Sequence, residues 1–486
     1  MGAINWTKEQ LDVINSVDLN TLVSASAGSG KTAVMLERVV RLITGENGNG
    51  KTPLRRIIMV TFNESVASEL KSKIGSRLAK RLAESQDKEY LREQIEDAPL
   101  ADISTMHSLC STIIKNNFEY LGIQPSFSIV DDDEKQVLFG KAVGNVMKEY
   151  RENYDYKIDI LINYLGGESR FCETLAKLYG FLEAQLDRDA YLEEVAFCCY
   201  DGNFKNSKLA KLYLASIHQD CFDLLHQAQE WQMLFESKAL YKHLEHVKSI
   251  IDFLHNLSET KDIEDLATVV KFAPKFANVP TLSKDQRDDN AEHQEKYKEY
   301  KADVINLLDK QLKAFFSLPY AQMQEELNKN VEYLVRLVDI LKNVCAEYSA
   351  LKKKDNKMDF ADLEYYAVKV MQNDALASEL ASNYDYICVD EYQDINAVQE
   401  YVLTRLSNGK NLFMVGDIKQ SIYQFRMTDP KIFLDKYRLY KQRPQQGNSF
   451  SLNSNFRSCK EVIDFVNAVF DVIMKEDMGG IDYKRE

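Results

Sequence analysis

Apolar and polar positions divide this 486-residue chain into two kinds of territory. Towards both ends, short apolar runs alternate with stripes of helical spacing. Thr21-Leu22-Val23, Ile57-Ile58-Met59-Val60, Asp102-Ile103-Ser104-Thr105, Tyr386-Ile387-Cys388-Val389 and Leu412-Phe413-Met414-Val415 are such runs. Each is followed by a polar loop and a helical pattern, which fits buried strands of a parallel sheet. The middle is different. No glycine occurs between Gly202 and Gly409, and the prolines of the block are Pro274, Pro280 and Pro319, so it reads as largely helical. Gln322 to Lys354 closes it, with Leu327, Val331, Leu334, Leu337, Val338, Leu341 and Val344 along one face. Lys284 to Lys301 is densely charged and reads as a solvated helix face or connection. The expected fold is α/β, a parallel sheet flanked by helices. Its halves are residues 1–125 and 355–447, split by an all-α insertion over 126–354.

The first run leads into chemistry. Thr21 to Thr32 reads TLVSASAGSGKT, a strand, then small residues only, then Lys31-Thr32 opening a helix. Ala25, Ser26, Ala27, Gly28, Ser29 and Gly30 would let backbone N–H groups approach phosphates that larger side chains would block. Lys31 would reach the β/γ-phosphates of ATP and the Thr32 hydroxyl would ligate Mg²⁺. The usual first glycine of this loop is Ala25 here. A nucleotide loop of this kind also needs carboxylates at the end of a neighbouring strand, and Asp390-Glu391 follow the Tyr386–Val389 run. Asp390 would sit on the metal and Glu391 would polarise the attacking water.

Composition narrows the remaining choices. The formal net charge of −14 requires any nucleic-acid contact to be a local groove, not a global field. Eight cysteines without a C-x-x-C pair suggest a reducing compartment and argue against a zinc or iron–sulfur site. His243 and His246, one helical turn apart, read as ordinary helix residues, not ligands. No apolar run reaches membrane-spanning length, and MGAINWTKEQ has neither the basic nor the apolar region of a secretory signal. The expectation is a cytoplasmic protein with no membrane partner.

Beyond the loop stand DEYQD at 390–394, GDIKQSIYQFR at 416–426 and NFRS at 455–458. These resemble motifs II, III and IV of superfamily 1 helicases of the UvrD/PcrA/Rep/RecB type. TKEQ ending at Gln10 resembles the Q motif, VTFNESVASEL (60–70) motif Ia and ISTMHSLC (103–110) motif Ib. Within that group, WTKEQ, the long insertion, SFSIVDDDE (126–134) and MDFADLEYYA (358–367) are most similar to AddA (RexA) subunits of bacterial AddAB helicase–nucleases. The resemblance implies a RecA-like first motor domain, with 448–486 as the start of a second.

It also implies residue roles. Gln10 would bond the adenine edge and Phe456 would stack on that base. Gln420 would sense the γ-phosphate, and Arg457 would neutralise charge in phosphoryl transfer, an effect of ~10³ or more in rate. Thr61, Phe62, Asn63, His107, Tyr423, Phe425 and Arg426 match positions that meet single-stranded DNA, the aromatic residues as base platforms. ATP and Mg²⁺ follow as cofactors. Single- and double-stranded DNA ends and an AddB-like subunit follow as partners, with 3′→5′ movement and processing of broken DNA for recombination. Motifs V and VI and a nuclease domain have no counterpart here. The expectation is therefore a portion of a longer protein that hydrolyses ATP poorly alone. A UvrD/PcrA- or RecB-like repair helicase, a non-catalytic nucleotide-binding regulator and a small-molecule kinase are the other readings.

Overall fold

The computed structural model describes residues 5–153, 156–198, 203–424, 427–474 and 483. Its strands are β1 (Thr21–Ala25), β2 (Ile57–Thr61), β3 (Ile103–Thr105), β4 (Ser128–Ile129), β5 (Lys357–Met358), β6 (Tyr386–Val389), β7 (Leu412–Gly416) and β8 (Asn448–Leu452). Six of them form one sheet in the order β3-β2-β6-β7-β1-β8, and β4 pairs separately with β5. Every neighbouring pair is parallel. The apolar runs are thus a parallel sheet, as the sequence predicts.

The central strands are buried throughout, and successive side chains enter opposite cores with the period of two that a pleated chain imposes. Leu22, Ile58, Val60, Ile387, Val389, Leu412 and Met414 face one core. Val23, Ile57, Met59, Ile103, Cys388, Phe413 and Val415 face the other. The second core is closed by helices α1 (Lys8–Asn15), α2 (Lys31–Thr44) and α3 (Glu64–Leu82). The first is closed by α4 (Met106–Asn116), α5 (Phe360–Gln372) and α6 (Ala397–Leu406).

The chain divides into two compact units. One comprises Met1–Gly144, Thr174–Leu186 and Cys345–Glu486, and the other Asn145–Glu173 and Asp187–Val344. The second unit is built of helices around a core that includes Leu225, Phe235, Val247, Leu254, Tyr297, Tyr300 and Leu308. The charged stretch from Lys284 lies in a helix, Lys284–Ile305, that contributes Tyr297 and Tyr300 to that core. His246 is buried, its Nδ1 2.7 Å from the Tyr297 hydroxyl and its Nε2 2.9 Å from the Ala277 carbonyl. Among the described residues no helix is long and apolar enough to cross a membrane.

Two buried charges lock the first unit. Arg38 of α2 donates from Nη1 to the carbonyls of Val13 (3.0 Å) and Ile14 (3.4 Å) at the end of α1, and its guanidinium lies 4.4 Å from the Phe413 ring centre. Burial lowers it to about 10, so the cation persists at neutral pH. Arg38→Met keeps the bulk but strands those carbonyls. It should cost about 1–3 kcal/mol, read as a lower urea midpoint, and an unmoved midpoint would show that the cation's burial cancels its bonds. The second lock is Lys352, which donates to Asp359 (2.8 Å) and Asp362.

Candidate functional site

The carboxyl ends of β6, β7 and β1 are neighbours in the sheet, and three loops leave from them. Ligands of open parallel sheets bind at such ends. From β1 comes Ser26–Gly30. Ser26 N–H donates to the Leu452 carbonyl (3.0 Å) and Ser29 N–H to the Ser26 carbonyl (3.2 Å). Gly28 and Gly30 have φ of +74° and +87°, values that glycine adopts without the strain of a Cβ. A Cβ at Gly28 would also lie 2.6 Å from Asn455 Oδ1. Ala25 needs no such freedom, because it is the buried last residue of β1.

From β6 come Asp390 and Glu391. Burial and then the Glu391 charge push Asp390 up to about 6, against the pull of Lys31. Glu391 is held at φ +51°, a left-handed conformation unusual outside glycine and a mark of local strain. Lys31 Nζ donates to Glu391 Oε2 at 3.3 Å, closing a contact between residues 360 positions apart. The same oxygen accepts from Gln393 Nε2 at 3.0 Å.

From β7 comes Asp417. Its amide donates to Gln393 Oε1 (2.9 Å), and its carboxylate accepts from Gln420 Nε2 (2.7 Å). Gln393 therefore bridges two loops, and Gln420 is fixed through Asp417. The fourth element is the segment after β8. Asn455 Nδ2 donates to the Ala27 carbonyl (2.9 Å), and Phe456 N–H donates to the Gly28 carbonyl (2.9 Å). Phe456 itself is exposed. Gln10, on α1, is buried and donates from Nε2 to the Ser29 carbonyl (3.1 Å) while Oε1 accepts from Thr7 N–H (3.1 Å).

These loops enclose a cavity of about 460 Å³ lined by Ala27, Gly28, Gly30, Lys31, Thr32, Glu391, Gln420 and Arg457, among others. A second cavity, of about 520 Å³, shares Thr32, Glu391 and Gln420 with the first. It continues to Asp390, Asp394, Phe62, Asn63 and Tyr423. The Phe62 and Tyr423 rings stack with centres 5.0 Å apart at 27°. Thr61 donates from its hydroxyl to the Asn63 carbonyl (3.1 Å), and Asn63 caps α3 by accepting from Val66 N–H (2.9 Å). His107 lies elsewhere on this unit, at the start of α4, with its ring centre 4.6 Å from that of Phe360.

The family model of the UvrD/REP helicase N-terminal domain matches residues 6–177 and 189–441, a span that takes in most of these loops. The chain belongs to the UvrD/REP helicase family. Its relatives include the A subunit of the ATP-dependent helicase/nuclease from Clostridioides difficile, 30% identical over 512 residues, covering 99% of this chain and 40% of that protein. The like-named protein of Enterococcus faecalis is 32% identical over 507 residues, covering 98% and 39%. That of Lachnoclostridium phytofermentans is 31% identical over 511 residues, covering 100% and 37%. The chain thus spans about two fifths of the length of the curated relatives it matches.

In this helicase-family chain the structure brings Ala27, Gly28, Gly30, Lys31, Thr32, Asp390, Glu391, Gln420 and Arg457 to the two adjoining cavities. Phe62, Asn63 and Tyr423 stand on the wall of the second. His107 lines neither, and Phe425 and Arg426 lie outside the described residues. Residue-type reasoning missed Gln393, Asp417 and Asn455. Their signal was present, since each sits inside a motif whose other members drew attention.

Proposed function

We propose that the chain is the ATP-binding motor portion of an AddA-like helicase subunit that moves 3′→5′ on single-stranded DNA. In this reading Lys31 holds the β/γ-phosphates, Gln420 senses the γ-phosphate and Arg457 offsets transition-state charge. Gln10 and Phe456 hold adenine. The Gln10 amide keeps one N–H and one lone pair beyond its internal bonds, enough for a paired contact. The residues fit a nucleotide. A glycine cradle runs along the loop, and the buried Ser29 Oγ makes no hydrogen bond among the described residues.

They also fit Mg²⁺. Thr32 and Asp390 are hard oxygen donors on one cavity wall, and a divalent cation would relieve the crowding of the Asp390 and Glu391 charges. Bound there, Mg²⁺ would neutralise phosphate charge. Phe62 and Tyr423 serve as base platforms, with Thr61, Asn63 and His107 beside the strand.

One observation carries the proposal: the wall formed by Thr32, Glu391 and Gln420 is common to the nucleotide cavity and to the cavity bearing Phe62 and Tyr423. A change at the γ-phosphate is then a change beside the aromatic pair. In the whole protein we assign this motor to processing of double-strand ends for recombination, together with a nuclease and an AddB-like subunit, in the bacterial cytoplasm.

The test is titration of a fluorescent ATP analogue and a labelled oligo-dT, separately and together. Lys31→Ala should weaken nucleotide binding at least tenfold, since it removes a charge-assisted contact of about 1.5–3 kcal/mol. Bound nucleotide should change oligo-dT affinity in the unaltered chain only. Nucleotide binding with no effect on DNA would leave a nucleotide-binding regulator instead of a motor.

A further inference from the structure

We propose that Glu364 is a positioning residue for the DNA face, acting through His107; the inference rests on reading His107 as a DNA-side residue. Glu364 is buried on α5, the helix that gives Leu363 and Ala367 to the first core, and a buried carboxylate there must be fully bonded. It is fully bonded. Its oxygens accept from Gln399 Nε2 (2.6 Å) and Asn396 Nδ2 (3.1 Å), and Oε1 lies 3.4 Å from His107 Nε2. Burial works to raise the Glu364 carboxyl, but the bond and charge of His107 and the two amides outweigh it, so it stays ionised.

An ionised carboxylate only accepts, so His107 Nε2 must carry the hydrogen. The ring is thereby fixed in orientation, with Nδ1 left as the nitrogen open to a ligand. Its face packs on Phe360, one helical turn before Glu364 on the same helix. Asn396 and Gln399 are the N-cap and N3 residues of α6, which follows directly on the DEYQD segment. One buried carboxylate thus ties the outward pair His107–Phe360 to the helix that continues from Asp390 and Glu391. A purely architectural Glu364 would serve α6 alone, as a negative charge at a helix N-terminus.

The two roles separate by experiment. Long-range ¹H–¹⁵N spectra of the histidine-labelled chain, with His107 identified by His107→Asn, should show hydrogen on Nε2. A bare Nε2 in the unaltered chain overturns the proposal without any variant. Glu364→Gln should shift that pattern and weaken oligo-dT binding roughly tenfold, and adding His107→Ala should weaken it no further, the non-additivity of residues acting through one contact. An unmoved His107 signal, or losses that multiply, would leave Glu364 a cap for α6. Absence of oligo-dT binding by the unaltered chain would overturn the DNA reading beneath the proposal. Binding that Glu364→Gln leaves intact would overturn this inference alone.

Discussion

Glu391→Gln should lower ATP hydrolysis by about 10²–10⁴-fold, the span typical of removing a general base. It should leave nucleotide affinity unchanged or tighter. The two effects part company because of the Lys31–Glu391 contact at 3.3 Å. Without nucleotide, the ammonium proposed to meet the phosphates is held by the carboxylate proposed to polarise water. A phosphate must win Lys31 from Glu391, and the amide of Gln removes the opposing charge. Single-turnover phosphate release reads the first effect, even at a slow rate, and a fluorescent nucleotide titration reads the second. If affinity falls along with rate, Glu391 works mainly by holding Lys31 in place, and another group polarises the water. Asp394 is then the next candidate. It lines the second cavity and is raised to about 6, chiefly by burial.

The conformation of the Ser26–Gly30 loop was legible because its demands are local. A phosphate loop needs small residues in sequence order, and Ser26 to Gly30 are such a run. Even the misfit at Ala25 was harmless, since the positive φ values fall at Gly28 and Gly30. The sheet was legible for a related reason. A parallel strand buried on both faces must be an unbroken apolar run, as at Ile57–Val60 and Leu412–Val415. Bonds between distant segments were not legible. Gln393 joins β6 to β7, Asn455 grips the Ala27 carbonyl, and Glu364 meets His107. No periodicity encodes such a bond, because it depends on which loops the sheet order places side by side. The stacking of Phe62 on Tyr423 is of the same kind. Their aromatic character was visible, but their contact was not.

The largest loss of stability should come from Lys352→Met. Lys352 is 2% exposed and Asp359 is 1% exposed. The ammonium bonds both Asp359 and Asp362, and the Tyr348 hydroxyl donates to Asp359 at 2.9 Å. Asp359 also caps α5 by accepting from Asp362 N–H at 2.9 Å. Burial alone would raise the Asp359 carboxyl, but the Lys352 charge outweighs it and lowers it to about 2. Asp362 moves the other way, raised by burial and then by the neighbouring Asp359 charge. Removing the lysine leaves two carboxylates buried without their cation, a change that costs about 3–5 kcal/mol.

The pH dependence gives the mechanism away. In the unaltered chain Asp359 has a depressed folded value, so its contribution is present above the unfolded value of about 4 and fades as pH falls towards 2. In Lys352→Met both carboxylates should be raised, which reverses the sign for Asp359 and reinforces it for Asp362. They then favour the folded state when protonated, and that benefit is lost as pH rises. The stability gap between the two proteins should accordingly be widest near pH 7 and shrink as pH falls to about 4. Urea unfolding at a series of pH values measures it. A gap that stays constant across that range would mean the lysine stabilises by packing its stem, and that its charge does little.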